Sequence, residues 1–187
     1  MNILYIHGFG SKVDTKGSKY RVLSKLGTVH GFAPMYELGL FEVSWKLCSI
    51  ILEKKIDLIV GTSMGGFLAS NLAHTFGIPY VALNPVIRPT DTLKKFVGDN
   101  QVDYYGREFD FSEEMFETYA NDMFQTKSSG IVFIEDGDEV IDVNMTIDFL
   151  EKNDVDVVVL NGGSHRFDSL KKVVKQIEDV YNKFKKA

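Results

Sequence analysis

The sequence predicts an α/β protein of three layers, α/β/α, with a six-stranded, mostly parallel sheet between two layers of helices. Short apolar runs rich in β-branched residues recur along the 187-residue chain, and segments with helical periodicity separate them. The runs lack strict alternation, which is typical of parallel strands covered on both faces. Strands that alternate with helices indicate a parallel sheet with right-handed crossovers. We expect the strand order 2-1-3-4-5-6 within a single domain over residues 1–187.

The elements follow from these patterns in chain order. The strands are predicted at residues 3–6, 28–33, 56–60, 80–83, 131–134 and 155–160. The second of them is the weakest, because Gly31 interrupts it. Helices are predicted at residues 16–26, 40–54, 64–76 and 143–151, with a last amphipathic helix at 167–184. The lysines of the last helix fall mostly off its apolar stripe, which indicates a solvated surface.

One long segment interrupts the alternation of strands and helices. Residues 84–130 contain no convincing strand, whereas 90–97 and 112–124 have helical character. We therefore expect a small helical cap, inserted at about 86–128, over the carboxyl end of the sheet, where sites in such folds lie. Its apolar side chains could line an acyl pocket or pack on the core, and both uses stay open for Phe96, Tyr104, Tyr105, Phe109, Phe111, Met115 and Phe116.

Composition excludes several classes of function. The net charge of −5 gives no electrostatic reason to expect nucleic acid as a partner, and one cysteine allows no internal disulfide. No stretch approaches the ~20 apolar residues of a membrane span. No residues have metal-ligand spacing, and the first turn lacks a phosphate-binding glycine motif. We expect a cytoplasmic monomer or weak homodimer that uses no metal or other cofactor.

The strongest chemical signal is the segment Gly61-Thr62-Ser63-Met64-Gly65, which matches G-x-S-x-G. In this motif a sharp turn between a strand and a helix raises the serine hydroxyl above the sheet. A plausible buried strand precedes the segment, and a helix-compatible segment follows it. These neighbours favour Ser63 as a nucleophile over a serine that merely caps a helix.

A serine nucleophile needs a base to accept its proton. His165 directly follows the last predicted strand, in a Gly-Gly-Ser-His segment, and so has the expected place and chain order. His30 and His74 are better explained as surface or packing residues. We therefore predict His165 as the base.

The acid should lie between Ser63 and His165, after the penultimate strand. Residues 135–139 offer four carboxylates. Asp138 follows the glycine turn and is favoured, with Asp136 as the next choice and Glu139 behind it. The carboxylates that are not used are expected to be solvated.

The first strand ends in His7-Gly8-Phe9-Gly10, a turn suited to hold an oxyanion. The predicted donors are the backbone N–H groups of Phe9 and of Met64, the residue after the nucleophile. The alternative is an ordinary glycine-rich turn between a strand and a helix. The turn supports the prediction because it completes a set of motifs at strand ends, together with the serine, acid and histidine segments.

With these positions assigned, the chain resembles the YqiA-like bacterial esterases, a small α/β-hydrolase family. The matching segments span nearly the whole chain in the same order, at residues 5–11, 61–67, 84–89, 137–140 and 162–167. The resemblance implies an α/β-hydrolase core, a cytoplasmic location, no cofactor and activity on carboxylic esters and acyl thioesters. It also implies that the aspartate of Gly-Asp-Glu, Asp138, is the acid. The second strand, the following helix and the insertion match poorly.

The sequence therefore predicts a serine esterase or thioesterase that acts on a small-molecule substrate through an acyl-enzyme. Amide cleavage by the same residues, or a low-turnover binding module with the same fold, are the alternatives. Two residues are candidates for substrate binding. Arg88 could anchor an anionic group or tie down the insertion, and Tyr105 lies in a stretch similar to one in the family.

Overall fold

The computed structural model describes residues 1–103 and 105–186. Its strands are β1 Asn2–Ile6, β2 Thr28–Phe32, β3 Leu58–Thr62, β4 Tyr80–Leu83, β5 Gly98–Val102, β6 Glu108–Phe111, β7 Gly130–Glu135 and β8 Val157–Leu160. Six of them form one sheet in the order β2-β1-β3-β4-β7-β8, with every neighbouring pair parallel. The predicted sheet and its strand order are confirmed.

The helices complete the outer layers. They are α1 Ser18–Leu23, α2 Gly39–Lys54, α3 Met64–Phe76, α4 Pro89–Leu93, α5 Glu113–Glu117, α6 Val143–Lys152 and α7 Leu170–Lys186, with 3₁₀ turns at Tyr36–Leu38 and Lys94–Phe96. Buried side chains of α2, α3 and α6 belong to one core cluster, and those of α1 and α7 belong to a second. No helix of residues 1–103 or 105–186 is both long and apolar enough to cross a membrane.

The two clusters lie on opposite faces of the sheet because side chains alternate along each strand. In β1, Leu4 and Ile6 pack in the first cluster, whereas Ile3 and Tyr5 pack in the second. Burial on both faces explains why the strand sequences are continuously apolar. The carboxyl ends of the central strands are thereby fixed at one edge of a rigid layer.

The insertion differs from its prediction, because it is not purely helical. β5 and β6 form an antiparallel hairpin between α4 and α5. The β6 sequence Glu-Phe-Asp-Phe alternates exposed and buried residues, which is the strand period of two in a run too short to stand out. Helix α5 ends at Glu117, well before the predicted end at residue 124. Beyond it, the Phe124 amide donates a hydrogen bond to the distant carbonyl of Ile87 rather than to a carbonyl one helical turn earlier.

Candidate active site

Ser63 lies at the turn between β3 and α3, with φ 56° and ψ −122°. This backbone conformation is strained for a residue with a side chain, and such strain clusters at functional sites. The turn also brings α3 against β1. A Cβ at Gly65 would lie 2.2 Å from the carbonyl oxygen of Ile6, so only glycine fits there. The G-x-S-x-G pattern thus has a steric cause in this chain.

The structure brings Ser63, His165 and Asp138 together in one line of hydrogen bonds. The His165 Nε2 atom lies 2.9 Å from Ser63 Oγ. On the other side of the ring, Nδ1 lies 2.7 Å from Asp138 Oδ2 and 3.0 Å from Oδ1. The Asp138 side chain is fully buried and that of His165 is 18% exposed. A serine, an imidazole and a buried carboxylate in this order can activate the serine hydroxyl.

The two alternative acids lie close by but bind backbone instead of the imidazole. Asp136 Oδ1 accepts a hydrogen bond of 2.6 Å from the Gly162 amide. Glu139 Oε2 accepts one of 3.0 Å from the His165 amide. Among the described residues, Asp138 is the carboxylate that contacts the His165 ring. Asp136 and Glu139 instead attach the acid loop to the histidine loop.

Glu135, the last residue of β7, is fully buried, so the expectation that the other carboxylates are solvated is wrong for this residue. Its Oε2 atom accepts hydrogen bonds of 2.9 Å from the amides of Ser164 and Asp168. Its Oε1 atom accepts one of 2.7 Å from the Ser169 amide. Burial raises the pKa of Glu135, but these N–H donors outweigh it and leave the pKa below its usual value. The carboxylate therefore holds the loop that carries His165.

Asn84 completes this attachment from the end of β4. Its buried side chain donates 2.8 Å to the Ser164 carbonyl and accepts 2.8 Å from the Glu135 amide. The chain passes close to Glu135 at Gly163, where a Cβ would lie 2.1 Å from the carboxyl group. Together, the side chains of Asn84 and Glu135 fix the His165 loop against two inner strands. Asn84 lies in a matched segment of the family resemblance, which was the one sequence signal for this role.

Replacing Glu135 by glutamine should lower the free energy of unfolding by roughly 3 kcal/mol. The amide NH₂ group cannot accept a hydrogen bond, so at least one buried loop N–H loses its partner. Urea unfolding would measure the change. Glu151→Gln, on the exposed side of α6, is the matched control and should stay within about 0.5 kcal/mol of wild type. Equal stability of both variants would contradict the role of Glu135.

The predicted oxyanion donors belong to two segments that meet at Ser63. Gly8 approaches Ser63 so closely that a Cβ there would be 3.1 Å from Ser63 Cβ. Phe9 follows directly, and Met64 begins α3. Neither amide donates to a protein acceptor within residues 1–103 and 105–186. The amino-terminal end of α3 also favours negative charge beside Ser63. These N–H groups are thus free to bind a developing oxyanion.

A pocket of about 370 Å³ opens beside Ser63 and His165. Phe9 and Phe96 stack in its wall with ring centroids 4.3 Å apart, and Tyr105 also lines it. The apolar side chains of the cap therefore show both predicted uses, and Phe96 shows both at once, since it also packs against the core. Phe96 and Tyr105 line the pocket, and Tyr104 lies outside the described residues. The others pack into or against the core: Phe109, Phe111, Met115 and Phe116.

Arg88 does not line the pocket beside Ser63. It is exposed and borders a separate pocket of about 170 Å³ together with Asp91 and Asp142. Within the described residues, its side chain forms no ion pair within 4.0 Å. The backbone carbonyl of Ile87, rather than the Arg88 side chain, bonds to the insertion at Phe124. The structure therefore favours neither of the two roles predicted for Arg88.

His7 lines the pocket as a buried, uncharged imidazole. Its Nδ1 atom lies 3.3 Å from Ser11 Oγ, and its carbonyl accepts 2.6 Å from the Tyr36 hydroxyl. Burial, and then the positive charge of Lys19, lower the pKa of His7 to about 4, although Asp14 opposes them. The unfolded chain protonates this group near its ordinary value of 6.5. His7 therefore links folding to pH.

The unfolded state binds more protons than the folded state between pH 6.5 and about 4, so acid destabilises the protein through His7. The free energy of unfolding should lose up to about 3 kcal/mol from this group as the pH falls through that range. We expect His7→Gln to lose this part of the pH dependence in urea unfolding at about pH 7 and about pH 4.5. His74→Gln, exposed on α3, is the control. An unchanged pH dependence in His7→Gln would contradict the interpretation.

Over residues 1–103 and 105–186, no three His, Cys, Asp or Glu side chains come together as a metal ion requires. Cys48 lies half-buried on α2 and packs against the core, as its apolar neighbours predict.

Comparison with solved structures places the fold among the α/β hydrolases. An esterase domain from a Rhodothermus marinus protein matches with TM-score 0.67 and 16% identity, over 97% of this chain and 85% of that one. A monoacylglycerol lipase of Paleococcus ferrophilus matches with TM-score 0.68 and 16% identity, over 97% and 94%. A thioesterase domain from the curacin biosynthetic pathway matches with TM-score 0.63 and 13% identity, over 95% and 90%. The predicted α/β-hydrolase core is confirmed.

Sequence comparison identifies the family. The UPF0227 protein VP0969 of Vibrio parahaemolyticus serotype O3:K6 (strain RIMD 2210633) is 26% identical over 196 residues, which cover 96% of this chain and 99% of that protein. The family model described as Uncharacterised protein family (UPF0227) matches residues 2–182. These matches confirm the resemblance to the YqiA-like proteins. The chain belongs to the protein family UPF0227.

Proposed function

We propose that the protein is a serine hydrolase that cleaves carboxylic esters through an acyl-enzyme intermediate. The observation that carries this proposal is the continuous line of hydrogen bonds from Ser63 Oγ through His165 to Asp138. The pocket beside Ser63 supplies room for a small-molecule acyl group. The esterase and lipase among the similar folds support the same class of reaction.

The first half of the reaction forms the acyl-enzyme. Ser63 Oγ attacks the carbonyl carbon of the ester while His165 Nε2 accepts the hydroxyl proton. The Asp138 carboxylate accepts a hydrogen bond from Nδ1–H and stabilises the imidazolium. The amides of Phe9 and Met64 bind the oxyanion of the tetrahedral intermediate. When that intermediate collapses, the C–O bond to the alcohol breaks and His165 gives its proton to the leaving oxygen.

The second half releases the acid. His165 Nε2 accepts a proton from water, and the resulting hydroxide attacks the Ser63 ester carbonyl. The same two amides hold the second oxyanion. Collapse breaks the bond to Ser63 Oγ, which recovers its proton from His165. An acyl thioester could follow the same steps with a thiolate as leaving group, and the thioesterase domain among the similar folds supports testing it.

Hydrolysis of p-nitrophenyl esters and acyl-CoAs, with chains from acetyl to palmitoyl, tests the proposal, and a p-nitroanilide tests amide cleavage. A fluorophosphonate probe should label the protein once, at Ser63, as mapped by peptide mass spectrometry, and should stop turnover in parallel. Labelling at another residue, or no turnover of any ester, would contradict the proposed function.

We also propose a cytoplasmic location, which the family resemblance supports.

A further inference from the structure

The pocket beside Ser63 has a charge opposite to that of the chain as a whole. The net charge of the protein is −5. By contrast, among the residues that the structure describes, four cationic side chains line the pocket, but only two carboxylates do so, Asp14 and Glu139. The four cations are Lys12, Lys19, Lys95 and Arg166. A cleft lined mainly by charges of one sign concentrates ligands that carry the opposite charge.

The carboxylates of the pocket do not neutralise these cations. Within residues 1–103 and 105–186, none of the four cations lies within 4.0 Å of a carboxylate oxygen. Asp14 and Glu139 instead accept backbone hydrogen bonds, from the amides of Lys16 and His165. The cations of the pocket are therefore available to a ligand.

Two of the cations face aromatic rings at the cap side. Lys12 Nζ lies 3.9 Å from the centroid of the Tyr105 ring, and Lys95 Nζ lies 5.1 Å from that of Phe96. Such contacts orient a cation but leave its charge uncompensated. These two lysines add a general attraction for anions. The other two cations, Lys19 and Arg166, are the ones without an aromatic contact among the described residues.

Lys19 is half-buried at the start of α1, and Arg166 directly follows His165. Two carboxylates act on Lys19 through their charge, those of Asp168 and Glu135. Each of them accepts hydrogen bonds from groups other than Lys19. Glu135 binds the amides of the His165 loop, and Asp168 Oδ2 accepts 2.9 Å from the Ser164 hydroxyl. Burial lowers the pKa of Lys19, the two carboxylates oppose this, and Arg166 adds to it. A partly desolvated cation without a close partner is costly, and a bound anion would relieve the cost.

We propose that the substrate carries a second, anionic group, a carboxylate or a phosphate, which Lys19 and Arg166 bind beside the scissile ester. The proposal rests on the proposed ester hydrolysis and adds the chemical class of the substrate. The planar guanidinium of Arg166 suits either oxyanion, and the Lys19 ammonium adds a point charge. Because Arg166 is adjacent to the predicted base, the anion would lie close to the reacting carbonyl and orient it.

A matched substrate pair tests the proposal: mono-p-nitrophenyl glutarate and its methyl ester, which differ in one negative charge. Wild type should prefer the free acid. Lys19→Gln and Arg166→Gln should each lower the ratio of kcat/KM for the acid over the methyl ester by about tenfold. Lys19→Arg keeps the charge and should keep most of the preference. Arg21→Gln, exposed on α1 outside the pocket, is the control and should leave the ratio unchanged.

The two anions can be distinguished by how strongly pentanoate and n-butyl phosphate inhibit the release of p-nitrophenol from the methyl-ester substrate. The anion that fits the site better should inhibit more strongly. Both Gln variants should weaken that inhibition. A ratio of kcat/KM that is the same in Lys19→Gln, Arg166→Gln and wild type would overturn the anion site while leaving ester hydrolysis intact. Absence of turnover of both esters by wild type would instead contradict the proposed function, and the anion site with it.

Discussion

Replacement of Ser63 by alanine is expected to lower kcat for ester hydrolysis by a factor on the order of 10⁶, to a level set by the rest of the pocket. The substitution removes the one atom that would form the covalent intermediate. It leaves the His165–Asp138 pair in place and keeps an L-residue at the strained turn, so the fold should be retained. Steady-state kinetics on a p-nitrophenyl ester, with urea unfolding alongside, would measure both effects.

The matched control is Ser24→Ala, an exposed serine that follows α1 outside the pocket, for which kcat should stay within about twofold. Residual activity of Ser63→Ala above a small fraction of wild type would mean that another group attacks the ester. Water activated by His165 would be the first alternative to examine. That outcome would contradict the acyl-enzyme mechanism but would still be consistent with His165 as a base.

The Asp138→Asn substitution is expected to lower kcat by about 10⁴. An asparagine amide has nearly the same shape, but it carries no charge to stabilise the imidazolium and favours the wrong imidazole tautomer. Asp136→Asn and Glu139→Gln remove a charge from the same loop without touching the ring, and each should cost less than about tenfold. The kcat values of the three variants on one ester would rank the acids.

A structural loss must be separated from a catalytic one, because Asp138 Oδ1 also accepts hydrogen bonds from the amides of Val140 and Ile141. The asparagine carbonyl can still accept these bonds, so the free energy of unfolding should change by no more than about 1 kcal/mol. A similar loss of kcat in Asp136→Asn and Asp138→Asn would argue that the loop as a whole, rather than one carboxylate, supports catalysis.

The layered core and its strand order could be predicted from sequence because they depend on repeated local signals. Each inner strand is an apolar run, and α3 begins and ends at the predicted residues, Met64 and Phe76. The turn that carries Ser63 could be predicted for the same reason, since a Cβ at Gly61 would overlap the carbonyl oxygen of Gly65, and this local requirement places glycines on both sides of the serine. A steric requirement within a few residues is visible in the chain itself.

Features that depend on distant contacts could not be predicted in this way. Four carboxylates in residues 135–139 have the same local chemistry, and their roles differ only through partners more than twenty residues away. The role of Glu135 in holding the His165 loop could not be predicted, because its three N–H donors lie in the loop after β8. The cap hairpin was missed because β6 has only four residues, too few for periodicity to separate it from a loop.

The position of Glu135 also affects how far local opening of the sheet can move the His165 loop. His165 follows β8, which is the edge strand of the sheet, and edge strands open more readily than inner ones. Yet the His165 loop is attached through its amides to the last residue of β7 and through Ser164 to Asn84 beyond β4, both inner strands. Fraying at the edge of the sheet can therefore proceed without displacing the imidazole. His165 is therefore held by hydrogen bonds to residues at the ends of two inner strands, although in the chain it directly follows an edge strand.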